Sequence, residues 1–207
     1  MKTITDIKPQ LKAPTRCNIY LDNVFYCGLE LETVMKNRLK IGQQIEPPQI
    51  DEIQFESELI RATDKALTLL SKSPKTKKQV KDYLVKKGYT EATCEGVIQK
   101  LLDYKYLSDG DYASQYARSQ SKNKGKKLIG LELKKKGVSA EDIQSAVEEV
   151  GDQTDLAVKI AQKYLKNKEK DKANTYKCYK YLLSKGFDYD VAKSAVEKVG
   201  NLEDDIL

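Results

Sequence analysis

Apolar residues alternate with polar ones near the start of the chain, then recur every three to four positions from about residue 51 onward. The first spacing predicts strands and the second predicts helices. In the alternating part, CNIYLDNVFYCGL (17–29) reads as two strands around Asp22-Asn23, a two-residue hairpin turn. TITDIK (3–8) offers a third strand. LELETVMKNRLKIGQ (29–43) reads as a short helix stopped near Gly42. Pro47 and Pro48 read as a joint, and a longer helix is expected from about Asp51.

The helical part repeats itself. KKGYT (86–90) returns as KKGVS (135–139) and as SKGFD (184–188), 49 residues apart both times. Glycine enters the left-handed conformation without a Cβ clash, so Gly88, Gly137 and Gly186 each read as a helix stop. Two residues later, Thr90, Ser139 and Asp188 carry oxygens that can cap the next helix. The apolar residue between (Tyr89, Val138, Phe187) is expected to plug the corner. Pairs four apart precede each glycine: Val80 and Leu84, Ile129 and Leu133, Cys178 and Leu182. Apolar faces follow each cap: Val97, Ile98 and Leu101; Ala146, Val147 and Val150; Ala195, Val196 and Val199. Thr76, Gly125 and Asn174, twelve residues before the glycines, are candidate N-caps, and TKKQ (76–79) fits a capping box. An upstream helix opens each unit, marked by Ala66, Leu69 and Leu70, by Ala113, Tyr116 and Ala117 behind a Ser108 cap, and by Ala157, Ile160, Ala161 and Tyr164. The fold expected is mainly α: three tandem three-helix repeats forming an elongated crescent, with a small N-terminal extension containing a β-hairpin. The boundaries are 1–48 for the extension, 49–107 for the first repeat with its lead-in helix, 108–150 for the second and 151–207 for the third.

Composition narrows the chemistry. The chain has 207 residues and no histidine, which removes Ser-His-Asp and Cys-His catalysis and most general-base chemistry at neutral pH. It shows no GxGxxG, no phosphate-binding GxxxxGK[ST] and no acidic metal cluster. The four cysteines form no CxxC pair and read as free thiols, with Cys94 and Cys178 at helical core positions. There is no run of about 18 apolar residues, and the N-terminus lacks an apolar signal core. A cytoplasmic protein that is neither enzyme nor metalloprotein, without cofactor or membrane partner, is the expectation.

Charge supplies the candidate site. The net charge is +6, and the basic residues come in blocks. Lys72 to Lys87 holds seven lysines and one acid, Arg118 to Lys136 eight basic residues and one acid, and Lys159 to Lys180 eight lysines and two acids. If the repeats stack in register, these blocks share one side as a basic stripe. The stripe residues are Lys77, Lys78, Lys81, Lys86, Lys87, Arg118, Lys122, Lys124, Lys126, Lys127, Lys134 and Lys135. One acid among eight bases does not read as a surface laced with ion pairs. Lysines of this kind hold phosphates with little regard to sequence. Tyr104, Tyr106, Tyr112 and Tyr116 are read as packing between the first two repeats, with base stacking as the alternative. Of Tyr176, Tyr179 and Tyr181, part must be exposed, because three positions in six cannot all face one core.

These residues resemble the RecX family, bacterial regulators of the RecA recombinase. ALTLLSKSPKTKKQVKDYLVKKGY (66–89) resembles the family's first repeat, and YKYLLSKGFDYDVAKSAVEKV resembles its third. YLSDGDYASQYARSQSKNKGKKLIGLELKKKGV (106–138) resembles its most characteristic part, through Asp109, Asp111, Tyr112-Ala113, Arg118, Gly125, Lys126-Lys127, Glu132-Leu133 and Lys136-Gly137. Gly110 stands where an acidic residue is usual, and lysines replace most of the family's arginines. The resemblance implies a monomer that binds the RecA–single-stranded DNA filament along its groove and inhibits ATP hydrolysis, strand exchange and filament growth. The partners implied are the RecA filament and single-stranded DNA, with double-stranded DNA a second candidate. Whether the stripe meets DNA or an acidic RecA surface stays open at this point, as does a nucleic-acid-binding repeat protein with no RecA role.

Overall fold

A computed structural model describes residues 1–11, 13–169 and 171–201. The described chain forms two compact units: residues 1–74 with 80–107, and residues 75–79 with the chain from 108 onward.

The first unit opens with three antiparallel strands, β1 (Lys2–Gln10), β2 (Ala13–Leu21) and β3 (Val24–Glu30). Asp22 and Asn23 make the hairpin turn with φ of 51° and 66°, the paired positive values of a type I′ turn. The turn is tied to β1: the Thr3 amide donates to Asp22 Oδ1 (3.0 Å) and the Asn23 amide to Thr5 Oγ1 (2.8 Å). A fourth strand, β4 (Gln44–Ile45), pairs with β1, giving the order β3-β2-β1-β4. Ile4, Ile19, Leu21 and Leu29 form the buried side of this sheet.

Helix α1 (Leu31–Lys36) ends well before Gly42. Its stop is Arg38, at φ 50°, with the Leu39 amide reaching the Val34 carbonyl (3.1 Å) and the Arg38 amide the Met35 carbonyl (3.1 Å). That bond pair is a Schellman turn, and the buried Val34–Leu39 pair closes it. The prolines are not a joint either. Pro47 and Pro48 are the first residues of α2 (Pro47–Leu70), where a missing amide hydrogen costs nothing. Glu46 and Gln49 complete a capping box in front of them.

The rest is helical: α3 (Lys77–Lys86), α4 (Glu91–Asp103), α5 (Asp109–Gln120), α6 (Lys126–Lys135), α7 (Ala140–Glu148), α8 (Thr154–Leu165), α9 (Lys172–Ser184) and α10 (Tyr189–Asn201). With α2 they make three helical trios. No helix among the described residues is long and apolar enough to cross a membrane. Gly88, Gly137 and Gly186 have φ of 88°, 86° and 87°. Each is the centre of the same Schellman turn. The amides of Tyr89, Val138 and Phe187 each reach back to the carbonyl of Leu84, Leu133 or Leu182, all at 3.2 Å. The recurring apolar residue is therefore the partner of a buried leucine one turn earlier. Val138 and Phe187 are buried, while Tyr89 is only half-buried.

Thr90 and Ser139 cap α4 and α7 through their hydroxyls, as Ser108 caps α5. Thr76 makes the capping box with Gln79. In the third trio the register slips: α9 is capped by Asp171, whose carboxylate accepts from the Asn174 amide, so Asn174 lies inside the helix. Tyr104 and Tyr106 are exposed rather than packed. Tyr112 and Tyr116 stack on each other at 6.0 Å within the second trio. Tyr176 is exposed, and Tyr181 stacks on Tyr164 at 4.7 Å.

Candidate nucleic-acid interface

The second unit shows how successive trios are joined. An α-helix leaves its first amides without partners, and here the next trio supplies them. At the start of α3, the Lys77 amide donates to Asp109 Oδ1 (2.8 Å), and Thr76 Oγ1 donates to the Lys136 carbonyl (2.7 Å). At the start of α6, the Lys126 amide donates to Gln153 Oε1 (3.0 Å) and the Lys127 amide to the Gly186 carbonyl (3.0 Å). The Gly125 amide reaches the Lys185 carbonyl (2.9 Å). Gln153 also donates to the Lys124 carbonyl (2.9 Å), fixing the loop that carries Lys122 and Lys124. Burial pushes the Asp109 carboxyl above its usual range, opposed by the Lys77 amide and ammonium.

The candidate cations differ from one another in their partners. Lys78 Nζ reaches the Lys135 carbonyl at 3.5 Å, so the start of α3 lies against the end of α6. Lys77 sits 4.0 Å from Asp109. Lys81 is bound to Glu91 and lies 3.8 Å from Glu95. Lys124 Nζ holds both oxygens of Glu132 (2.6 and 2.8 Å), which also accepts from the Tyr116 hydroxyl (2.8 Å). Burial works to raise the Glu132 carboxyl, but the Lys124 and Tyr116 hydrogen bonds outweigh it and hold it below the usual range. Burial and the same carboxylate push the Tyr116 hydroxyl up to about 12. Lys127 meets Asp188 at 3.2 Å and lies over the Tyr189 ring at 4.2 Å. Arg118 lies 4.0 Å from Glu149. Lys86, Lys87, Lys122, Lys126, Lys134 and Lys135 make no ion pair among the described residues; of these, all but the half-buried Lys126 are exposed. Glu132 is the one acid inside its block; the others, Glu91, Glu95, Asp109, Glu149 and Asp188, lie outside the blocks, which is why counting charges along one block did not reveal them. Lys127 and Lys134 flank a hollow of about 540 Å³ whose wall includes Leu131, Val138 and Ile143.

Among the described residues no group of three or more metal-ligating side chains converges. All four cysteines are buried, and burial pushes each thiol up, Cys27 to about 11, away from the reactive thiolate.

The fold thus defines a class, the proteins built from tandem three-helix modules behind a small β-module. Four family profiles match this chain in order: the regulatory protein RecX N-terminal domain over residues 2–46, and the first, second and third RecX three-helix domains over 62–101, 108–147 and 151–196. The regulatory protein RecX of Clostridium perfringens (strain 13 / Type A) is 34% identical, over 98% of this chain and 99% of that protein. The Bacillus subtilis (strain 168) protein of the same name is 33% identical, over 96% of this chain and 78% of its own. A crystal structure of regulatory protein RecX superposes with a TM-score of 0.74 at 26% identity, over 95% of this chain and all of that one. RecX from Lactobacillus salivarius gives 0.65 at 28%, over 69% of this chain and 96% of that one. The chain belongs to the RecX family of regulatory proteins.

Proposed function

We propose that this protein is a negative regulator of RecA, acting in the cytoplasm as a monomer that lies along the groove of the RecA–single-stranded DNA filament. It inhibits ATP hydrolysis, strand exchange and filament growth without chemistry of its own. The observation that carries this reading is family membership over nearly the whole chain, with all four domains in order. The cations support it. Exposed lysines without an internal acid, Lys86, Lys122, Lys134 and Lys135 above all, keep their charge for an outside anion. Lys81 and Lys124 are already spent on Glu91 and Glu132. Lys127 also holds Asp188, so its reversal would disturb the joint between trios.

The test is a titration of RecA ATPase on single-stranded DNA with wild type and the K134E/K135E variant. Wild type is expected to suppress hydrolysis at levels well below RecA. The variant should need about tenfold more protein, with unchanged helix content. Inhibition that sets in only when the protein suffices to coat the DNA would instead make this a nucleic-acid-binding repeat protein with no RecA role.

A further inference from the structure

A second basic site lies in the first unit, far in sequence from the lysine blocks of the second and third trios. Residues 1–61 carry eight basic and nine acidic residues, so no excess of positive charge is legible there. Folding nevertheless gathers Arg16 from β2, Arg61 and Lys65 from α2, and Lys87 with Tyr89 from the turn after α3 around one cavity of about 370 Å³. Glu58 is the one acid in its wall. Arg61 and Lys65 stand four apart, one turn of α2, and neither makes an ion pair among the described residues. Arg16 is held in place from behind. Its guanidinium donates to the Gly28 carbonyl (2.8 Å), and its Nε lies 3.6 Å from Glu30, buried and beyond hydrogen-bond reach. A Cβ at Gly28 would come within 3.0 Å of the same guanidinium, so the glycine leaves room for it.

The plug residue points the same way. At this position the other two trios have Val138 and Phe187, which are buried and carry no polar atom. The first trio has Tyr89, half-buried and part of the cavity wall. Burial pushes its hydroxyl up, and Arg61 and Arg16 are close enough to pull it back. Four cations against two acids, Glu58 in the wall and Glu30 behind Arg16, with a hydroxyl donor among them, make a concave site that favours an anion rich in acceptors. Arginine fits the oxygens of a phosphate in a planar fork, and lysine adds charge from any direction.

We infer that the cavity formed by Arg16, Arg61, Lys65, Lys87 and Tyr89 is a phosphate-binding site. The phosphate can come from the backbone of a single strand or from a free nucleotide, and the experiment separates these. Because it uses naked probes without RecA, it succeeds or fails independently of the filament role. Fluorescein-labelled dT15 is titrated with full-length wild type, R61Q/K65Q and E58Q by anisotropy at several salt concentrations. Thermal unfolding is followed with sodium pyrophosphate and with ATP. For a backbone phosphate, R61Q/K65Q weakens dT15 binding about tenfold. Its log–log salt slope shrinks by about 1.4, some 0.7 per lost phosphate contact. E58Q tightens binding, a change a damaged fold cannot imitate. For a free nucleotide, dT15 binding is unaffected, but pyrophosphate and ATP raise the midpoint of wild type and not of R61Q/K65Q. The proposal is overturned if neither probe distinguishes the variants from wild type. It is also overturned if R61Q/K65Q abolishes binding of a polyglutamate peptide while every phosphate probe binds as before.

Discussion

Glu132 shows how much one side chain can organise. It receives Lys124 from the loop before α6 and the Tyr116 hydroxyl from α5, and so ties three segments of the second trio together. Lys136 adds its charge over the Tyr116 ring at 5.2 Å. Because the folded carboxyl titrates below its unfolded value, its stabilising effect is complete at pH values above about 4.3, the ordinary range for glutamate. The effect disappears as pH falls through the lower folded value. Glu132→Gln is therefore expected to melt below wild type at pH 7, and the gap should close under strongly acidic conditions. Melting curves followed by circular dichroism across that range check it; a gap that widens in acid would contradict the assignment. The charge pattern named Lys124 as a free cation, since its partner lies eight residues on and reaches it only after α6 has formed.

At the scale of helices and turns, the recurring features were readable because they are local. A glycine, the apolar residue after it and the leucine four before it are all within one turn, so Gly88, Gly137 and Gly186 announced their conformation through spacing alone. Arg38 did not, because it makes the same turn with a residue whose type carries no such signal. The contacts between trios were equally silent. Asp109 serves Lys77 across 32 residues, whereas Gln153 serves Lys126 across 27, so the same role is played by different residue types at different distances. Gly125 was read as a cap, yet its larger reason is proximity. A Cβ there would stand 2.1 Å from the Gly186 carbonyl carbon and oxygen, which are backbone atoms. Gly125→Ala must push α6 away from the turn after α9, at a cost of about 1–3 kcal/mol, typical of overpacking. Denaturant unfolding should show it, while the same substitution at Gly151, where a Cβ meets nothing, is limited by its φ of 68° alone.

For the molecule as a whole, the trios are not interchangeable beads. The second unit includes residues 75–79, the start of a helix whose later turns pack in the first unit. A chain ending at Val150 would lose Gln153, Lys185 and Gly186, and with them the acceptors for the Lys126, Gly125 and Lys127 amides. Its second trio is expected to melt below that of the full chain although every residue of α5, α6 and α7 is present. A truncated protein as stable as the intact one would show that these bonds contribute little. The basic cavity was missed because Arg16, Arg61 and Lys87 belong to three different elements and share no period.

The direction of these bonds also bears on how the protein is made. A ribosome releases the amino end first, yet the last hydrogen bonds of α3 and α6 are donated to atoms synthesised later. At about 5–20 residues per second, the Lys77 amide and the Thr76 hydroxyl wait a few seconds for Asp109 and Lys136 to emerge, and the Lys126 and Lys127 amides wait similarly for Gln153 and Gly186. Each module is thus left provisional until its successor arrives, and nascent chains stalled before residue 186 should remain open to proteases and chaperones at a helix whose own sequence is complete.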